Sequence, residues 1–191
     1  MRLGLFGGRF DPPHLGHLLA AQEAAEALEL HELWFIPAQC PPHKAAMTAA
    51  EHRFNMTLLA TASHPGFRVS RLEIERGGPS YSFDTVSHIK GQRPQAELFF
   101  ITGADAYEQI ASWHRARELV ETAQMIAVSR PGYTWNGMEA FYREKVRLLR
   151  SPSVDISSTD IRRRLAQRRP VRYLVPEHVE NYLVKHHLYH Q

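Results

Sequence analysis

The sequence lacks the features of secreted and membrane proteins. It has one cysteine, Cys40, in 191 residues, so no disulfide can form within the chain. The apolar run at residues 3–6 is too short for a signal peptide, and no window approaches the length of a membrane span. A single cysteine is compatible with a reducing compartment but does not prove one. We therefore expect a soluble, cytoplasmic protein that has no membrane partner.

The charge composition does not indicate a nucleic-acid-binding protein. The net charge is +3, and the densest basic tract consists of residues 162–164 with Arg168 and Arg169. A mild positive excess attracts anions in general, so small molecules that carry phosphate fit as well as nucleic acid does. We expect small-molecule substrates and no nucleic acid. Nucleic-acid binding remains an alternative, and it predicts a steep dependence of binding on salt.

Short apolar runs alternate with helical segments along the chain. Strands are predicted at residues 3–6, 33–36, 67–74, 98–101 and 125–128. Helices are predicted at residues 16–30, 49–63, 80–89, 158–167 and 176–187, and a helical stretch after Gly103 is predicted to hold Trp113. Residues 136–149 fit either a helix or a helix that enters a strand. The alternation predicts an α/β fold with an open parallel sheet and helices on both faces.

An eleven-residue string follows the first predicted strand: Gly7-Gly8-Arg9-Phe10-Asp11-Pro12-Pro13-His14-Leu15-Gly16-His17. The glycine pair lets the backbone approach a ligand closely and take up unusual torsions. The helix that follows offers unpaired N–H groups to an anion. His14 and His17 lie three residues apart at its start, which places both rings on the same side. Two imidazoles there suit a phosphate chain that gains charge in a transition state.

This string has other interpretations. It is not a P-loop, because no Gly-Lys-Ser/Thr follows, and it lacks the Gly-x-Gly-x-x-Gly spacing of a dinucleotide fingerprint. Glycines after a strand are often only a turn. His-x-x-His also fits part of a metal site, although the sequence offers no obvious third ligand at a fixed spacing.

A second string, Ile-Ser-Ser-Thr-Asp-Ile-Arg, occupies residues 156–162. Ser157 and Ser158 are helix N-cap signals, so this helix start is a second natural phosphate site. Arg162 is predicted in the first helical turn, where its guanidinium can bind phosphate oxygens in a bidentate manner. Alone, the string fits a simple cap followed by a solvated arginine equally well.

Four further strings occur between these two. They are Pro-Pro-His-Lys at residues 41–44, Gly-Pro-Ser-Tyr-Ser-Phe-Asp-Thr at 78–85, Ile-Thr-Gly-Ala-Asp at 101–105 and Arg-Pro-Gly-Tyr at 130–133. Lys44 can bring a positive charge to reacting phosphates, or it can simply be solvated. Trp113, eight residues after Asp105, can belong to the core or stack on a flat ring.

Taken in order, these strings resemble the bacterial nicotinate mononucleotide adenylyltransferase family, part of the nucleotidyltransferase superfamily with the His-x-Gly-His signature. Class I aminoacyl-tRNA synthetases carry a related signature, but they are much longer than this chain. The resemblance spans nearly the whole chain. It implies a Rossmann-like sheet in a single nucleotidyltransferase domain over residues 1–191, with a C-terminal helical portion at about 156–191. It also implies that ATP and nicotinate mononucleotide are joined to nicotinate adenine dinucleotide and pyrophosphate in NAD biosynthesis, with Mg²⁺ as cofactor entering with ATP.

The resemblance also implies residue roles. The catalytic set would be His14, His17, Lys44 and Arg162, with His17 stabilising the transition state. ATP would be bound by Gly7, Gly8, Arg9, Phe10, His14, His17, Gly103, Asp105, Arg130, Ser157, Ser158 and Arg162. Nicotinate mononucleotide would be bound by Lys44, Tyr81, Asp84, Thr85, Asp105, Trp113 and His114. Trp113 would stack on the pyridine ring, and the backbone at Thr85 and His114 would receive the carboxylate. No residue is assigned as a metal ligand.

Three residues depart from the family's pattern. Arg9 stands where serine or threonine is common, Arg168 where glycine is frequent, and His114 where an aromatic such as tyrosine is expected. The change at His114 leaves the preference for an acid or an amide acceptor open. The alternatives are therefore an adenylyltransferase that prefers nicotinamide mononucleotide or another phosphate acceptor, and a non-catalytic nucleotide-sensing module. The sequence is compatible with a monomer or a homodimer.

Overall fold

The computed structural model describes residues 1–42, 48–129, 134–135, 137–152 and 154–189. Six strands in this part of the chain form one sheet: β1 Arg2–Gly8, β2 Glu32–Pro37, β3 Phe67–Val69, β4 Glu97–Gly103, β5 Gln124–Ser129 and β6 Val146–Arg150. All neighbouring strands are parallel, in the order β3-β2-β1-β4-β5-β6. The direction of winding therefore reverses between β1 and β4, which is where open α/β sheets bind ligands.

Helices cover both faces of this sheet. They are α1 Leu15–Ala27, α2 Ala50–Thr61, α3 Leu72–Arg76, α4 Ser82–Gln92, α5 Ala104–Tyr107, α6 Ala116–Thr122, α7 Ala140–Lys145, α8 Ser158–Ala166 and α9 Glu177–Lys185. Successive residues of a strand point to opposite faces. Leu5 and Phe100 accordingly belong to a core with α4, α5, α6 and α7, whereas Phe6 and Phe99 belong to a core with α1. Among the described residues, no helix is long and apolar enough to cross a membrane.

The C-terminal helices share a third core with α2. Met56 and Ala60 of α2 pack with Ile161 of α8 and with Val179 and Leu183 of α9. This burial joins the C-terminal helical portion to α2, which in turn contacts β2 and β3 of the sheet. The predicted α/β single-domain fold is confirmed. The second interpretation of residues 136–149 is also confirmed, because α7 runs directly into β6.

Two element predictions are wrong. Residues 67–74 do not form one strand: β3 ends at Val69 and α3 begins at Leu72. The hydroxyl oxygen of Ser70 accepts a hydrogen bond from the Leu72 N–H at 3.2 Å, a local turn that competes with strand pairing. Trp113 is not inside a helix; it follows the short 3-10 helix Ile110–Ser112 in an extended conformation.

Candidate active site

The carboxyl ends of the central strands open onto a cavity of about 840 Å³, a volume typical of small-molecule sites. Gly8 of β1, Gly103 of β4 and Ser129 of β5 line it. The cavity lies at the point between β1 and β4 where the winding of the sheet reverses. Both strings that the sequence assigns to phosphate binding contribute to its walls.

The glycine pair at the end of β1 is required by close packing. A Cβ on Gly7 would lie 2.9 Å from Cζ of Phe100, and a Cβ on Gly8 would lie 2.8 Å from Cζ of Phe10. The unusual torsions expected at the pair are not found there, because neither glycine has a positive φ. The left-handed residue of this loop is Phe10, with φ 50°.

Phe10 anchors the loop to the core. Its ring is 1% exposed and packs at centroid distances of 5.6 Å from Phe35 and 5.2 Å from His17. Burying an aromatic ring is worth roughly 2 kcal/mol or more, enough to hold a strained backbone at that residue. The buried ring of Phe10 therefore fixes the position of the loop beside the cavity.

The two histidines of the loop form a contacting pair. The ring centroids of His14 and His17 are 3.7 Å apart, and the backbone N–H of His14 donates to Nδ1 of His17 at 3.2 Å. A Cβ on Gly16 would lie 3.0 Å from Nδ1 of His14, which explains the glycine between them. The predicted placement of both rings on one side is confirmed, and both residues line the cavity.

Burial and the neighbouring His14 lower the pKa of His17 well below its ordinary value, so His17 is neutral near pH 7. A neutral imidazole carries one proton. Since Nδ1 of His17 accepts a hydrogen bond from the His14 backbone, the proton lies on Nε2. His17 thus offers the cavity an N–H donor without a full charge.

The string at residues 156–162 contacts the string at residues 7–17, through residues that lie 146 positions apart in sequence. Ser157 is the N-cap of α8, and its hydroxyl oxygen accepts from the Asp160 N–H at 3.1 Å. The hydroxyl of Ser158 donates to the carbonyl of Pro12 at 2.9 Å, which ties the start of α8 to the β1–α1 loop. Both serines line the cavity. The structure therefore brings the two strings together in one site.

Arg162 lies one helical turn later than predicted, and its role at the phosphates stays a prediction. Because α8 begins at Ser158, Arg162 starts the second helical turn instead of lying in the first. Its guanidinium donates to the carbonyl of Asp11 at 2.7 Å and to the hydroxyl of Thr159 at 3.2 Å. Arg162 is not among the residues that line the cavity. Through its hydrogen bond to the Asp11 carbonyl, Arg162 supports the β1–α1 loop.

Sequence reasoning missed a second arginine behind this loop. Arg53 of α2 is fully buried and donates to the backbone carbonyls of Arg9, Gln39 and Thr48 at 3.0, 3.2 and 3.0 Å. A buried guanidinium is costly unless it is hydrogen-bonded, and each of its three nitrogens donates to one of these carbonyls. No local pattern distinguishes Arg53 from a solvated helix arginine.

A group of aromatic residues forms another wall of the cavity. The ring of Trp113 stacks on Tyr107 at 5.4 Å with an interplanar angle of 24°, and it meets the edge of Phe100 at 6.2 Å. His114 and Tyr81 have ring centroids 4.5 Å apart. Four of these residues, Phe100, Trp113, His114 and Tyr81, line the cavity. The structure therefore brings together Trp113, His114 and Tyr81, which were predicted to bind nicotinate mononucleotide.

Thr85 and Asp84 are not among the lining residues; Thr85 is fully buried, whereas the Asp84 side chain is half-exposed. The hydroxyl of Thr85 donates to Glu73 at 2.6 Å, and its backbone N–H bonds to the Tyr81 carbonyl at 3.2 Å within α4. N–H groups earlier in the first turn have no such intrahelical partner, and Ser82 among them lines the cavity. The role of the Thr85 backbone stays a prediction.

Glu73 is a lining residue that sequence reasoning missed, since residues 67–74 were predicted as a strand. Burial raises the pKa of this carboxyl, and hydrogen bonds from Ser80 and Thr85 oppose that shift. Glu73 thereby links α3 to the start of α4, the segment that presents Tyr81 to the cavity.

Gly103 and Asp105 both line the cavity at the end of β4. A Cβ on Gly103 would lie 2.6 Å from Oδ1 of Asp105, so only glycine leaves room for the carboxylate in this position.

Of the other predicted site residues, Gly7, Gly8, Arg9 and Phe10 line the cavity. Lys44 and Arg130 lie outside the described residues.

Comparisons with known proteins identify the family of the chain. Residues 5–164 match the family described as "Cytidylyltransferase-like". A "Probable nicotinate-nucleotide adenylyltransferase" of Leifsonia xyli subsp. xyli is 50% identical, over 98% of this chain and 94% of its own length. A protein of the same name from Thermus thermophilus is 53% identical, over 99% of this chain and 100% of its own length.

A solved structure shares the fold. The nicotinic acid mononucleotide adenylyltransferase of Plasmodium falciparum complexed with NaAD has a TM-score of 0.82 over 98% of this chain and 97% of its own, at 21% identity. The sequence relatives, similar over almost their full length, are what identify the family. The chain belongs to the nicotinate-nucleotide adenylyltransferase family within the cytidylyltransferase-like group.

Proposed function

We propose that the cavity joins ATP to nicotinate mononucleotide, producing nicotinate adenine dinucleotide and pyrophosphate as a step of NAD biosynthesis. One observation carries this proposal. The histidine pair after β1 and the serine pair at the start of α8 meet in one cavity whose lining also includes Trp113. Such a cavity suits a phosphate chain on one side and a flat ring on the other. The relatives' shared name gives the reaction.

The proposed reaction is a direct displacement. An oxygen of the acceptor's 5′-phosphate forms a bond to the α-phosphorus of ATP, and the bond from that phosphorus to the bridging oxygen of the β-phosphate breaks. The electron pair leaves with pyrophosphate. A phosphate oxygen is already nucleophilic near neutral pH, so neither a covalent intermediate nor a strong base is needed. Catalysis then consists of positioning and of stabilising developing charge.

His17 would donate its Nε2–H to a phosphate oxygen on which charge develops, and His14 beside it would contact the same phosphate chain. The neutral state of His17 suits this role, because the donor needs no proton from solvent. Arg9 lines the cavity, and Lys44 is proposed as a further cation. Arg162 is proposed to act on ATP together with the loop whose Asp11 carbonyl it holds.

Mg²⁺ would enter with ATP. Among the described residues, no group of three or more histidine, cysteine, aspartate or glutamate side chains could form a protein cage for the ion. This donor set fits an ion carried mainly by phosphate oxygens and water, with Asp105 available to a metal-linked water. The ion would neutralise charge on the phosphates.

The acceptor would lie against the aromatic wall. Trp113 would stack on the pyridine ring, and Asp105 would accept from a ribose hydroxyl. The carboxylate would bind backbone N–H groups at the start of α4, up to Thr85, and at His114. Tyr81 and Asp84 would complete this half of the site. Tyr107 supports this arrangement: it stacks on one face of Trp113, which lines the cavity, so the pyridine ring would stack on the other face.

Pyrophosphate release tests the proposal. The protein would be incubated with ATP and Mg²⁺ alone, with nicotinate mononucleotide, and with nicotinamide mononucleotide. The proposal predicts release that depends on an acceptor and is fastest with the acid. Equal rates with the two acceptors would contradict the carboxylate site, and no release with either would contradict the reaction.

A further inference from the structure

His114 departs from the family's aromatic pattern, and it lies opposite a carboxylate. Its Nε2 atom is 3.9 Å from Oδ1 of Asp84, with 43% and 40% of the two side chains exposed. Its ring rests on Tyr81 at 4.5 Å with a tilt of 31°. His114, Tyr81 and Trp113 line the same part of the cavity.

The neighbouring charged residues Arg115 and Glu118 form an ion pair with each other. Arg115, the next residue, forms a two-point ion pair with Glu118 of α6, and its guanidinium lies 3.9 Å from the centroid of Phe83. Glu118 therefore already has a cation beside it. Among the described residues, the carboxylates that line the cavity are Asp105 and Glu73. Asp84 is the carboxylate in ion-pair distance of His114.

We propose that the charge on His114 sets the preference for an acid over an amide acceptor. This inference rests on the proposed function. A cationic His114 offsets Asp84 and attracts the pyridine carboxylate. A neutral His114 leaves the charge of the Asp84 carboxylate, 3.9 Å from its Nε2, without an offsetting cation, so that this charge repels an acceptor of like charge beside the ring. Nicotinate and nicotinamide mononucleotide differ by that one charge, so the effect falls on the acid alone.

The preference should therefore depend on pH. Histidine is the side chain that commonly changes charge between pH 5 and 8. Both acceptors have the same 5′-phosphate and use the same ATP site, so titration of phosphates or of His14 and His17 cancels in the ratio of their kcat/KM values. Titration of Glu73 or Asp105 would persist when His114 is replaced, and this separates their contribution from that of His114.

The experiment compares kcat/KM for the two acceptors between about pH 5.5 and pH 8.5. In the unaltered protein the acid-to-amide ratio should fall about fivefold as pH rises, a size typical of half-exposed charges near a protein surface. In His114→Phe, which keeps a ring against Tyr81, the ratio should not change with pH. His88→Phe is the matched control, because His88 is an exposed residue of the same helix as Asp84. It should keep the slope of the unaltered protein.

Asp84→Asn supplies a second variant. It removes the opposing carboxylate, so the ratio near pH 8.5 should rise severalfold towards its value near pH 5.5. A ratio independent of pH in the unaltered protein, or the same slope in His114→Phe, would overturn the inference while leaving the proposed function intact. No turnover with either acceptor would overturn the proposed function, and this inference with it.

Discussion

The hydroxyl of Tyr189 donates a hydrogen bond to Oδ1 of Asp11, a carboxylate in the β1–α1 loop that is 1% exposed. The two residues are 178 positions apart in sequence. Burial and the Asp11 carboxylate both raise the pKa of Tyr189, so its hydroxyl keeps the proton that it donates. The C-terminal part of the chain thus helps to position the loop that carries the histidine pair.

Tyr189→Phe should weaken this support. Loss of a hydrogen bond to a charged group costs about 1.5–3 kcal/mol, which should appear as a lower Tm. The KM for ATP should rise severalfold, while the KM for nicotinate mononucleotide changes less, because the displaced loop lies on the phosphate side. Thermal denaturation and steady-state kinetics measure both.

Tyr173→Phe is the control for Tyr189→Phe. The ring of Tyr173 is 80% exposed, so its hydroxyl has little to lose. If Tyr189→Phe and Tyr173→Phe both matched the unaltered protein, Tyr189 would not position the loop.

His17 substitutions separate its two hydrogen-bonding roles. Asparagine places an amide near Nδ1 and can keep the bond from the His14 backbone, whereas glutamine places an amide near Nε2 and can keep the donor towards phosphate. His17→Asn should lower kcat by about 10²–10³-fold, the cost of one donor aimed at developing charge. His17→Gln should lose less. The KM for ATP should change little in both.

His178→Gln, at an exposed residue of α9, controls for loss of a histidine as such. Equal kcat values for His17→Asn and His17→Gln would show that the Nε2 donor does not account for the contribution of His17 to catalysis.

The stability of the protein should fall as pH falls from about 7.5 to 5.5. The pKa of His17 is lowered by burial and by His14, so in this window the unfolded chain binds a proton that the folded chain does not. The stabilisation from neutral His17 is present above the ordinary histidine pKa and is lost as pH drops towards the folded value. Urea denaturation at both pH values measures the loss, which should be smaller in His17→Gln. A loss of the same size in the variant would contradict the assignment.

Arg168→Gly should stabilise the protein by about 1 kcal/mol. Arg168 has φ 54° after the end of α8, where Arg168 N–H bonds to the Leu165 carbonyl at 2.9 Å and Arg169 N–H to the Arg164 carbonyl at 2.8 Å. This is a Schellman cap with arginine in the left-handed position that favours glycine. Arg169→Gly removes the same charge from a residue without a positive φ, so it should not stabilise. Equal Tm values for the two glycine variants would exclude the backbone explanation.

The arginine at position 168 keeps the left-handed cap in which the family has glycine, and the conformation costs some stability.

Local sequence patterns predicted most of the fold, because alternating apolar runs and helical segments reflect burial on the two faces of one parallel sheet. The pattern failed at residues 67–74, where Ser70 turns the chain and the apolar residues that fitted a strand lie partly on α3.

The contacts behind the site could not be predicted from local sequence. Arg53 and Tyr189 act through carbonyl and carboxylate groups 44 and 178 positions away. The predicted phosphate role of Arg162 came from the capped helix start before it, but its hydrogen bond to the Asp11 carbonyl, 151 positions away, could not be predicted. Sequence analysis therefore identified lining residues that belong to a recognisable string. It did not identify Arg53 and Tyr189, which position those strings.

The central claim is that the acceptor's phosphate displaces pyrophosphate from the α-phosphorus of ATP in this cavity. The most direct measurement follows ATP radiolabelled at the α- or the γ-phosphorus during turnover with nicotinate mononucleotide and Mg²⁺. The account predicts that the α-label enters nicotinate adenine dinucleotide and that the γ-label leaves as pyrophosphate. An α-label recovered only as AMP, or held covalently on the protein between half-reactions, would contradict it.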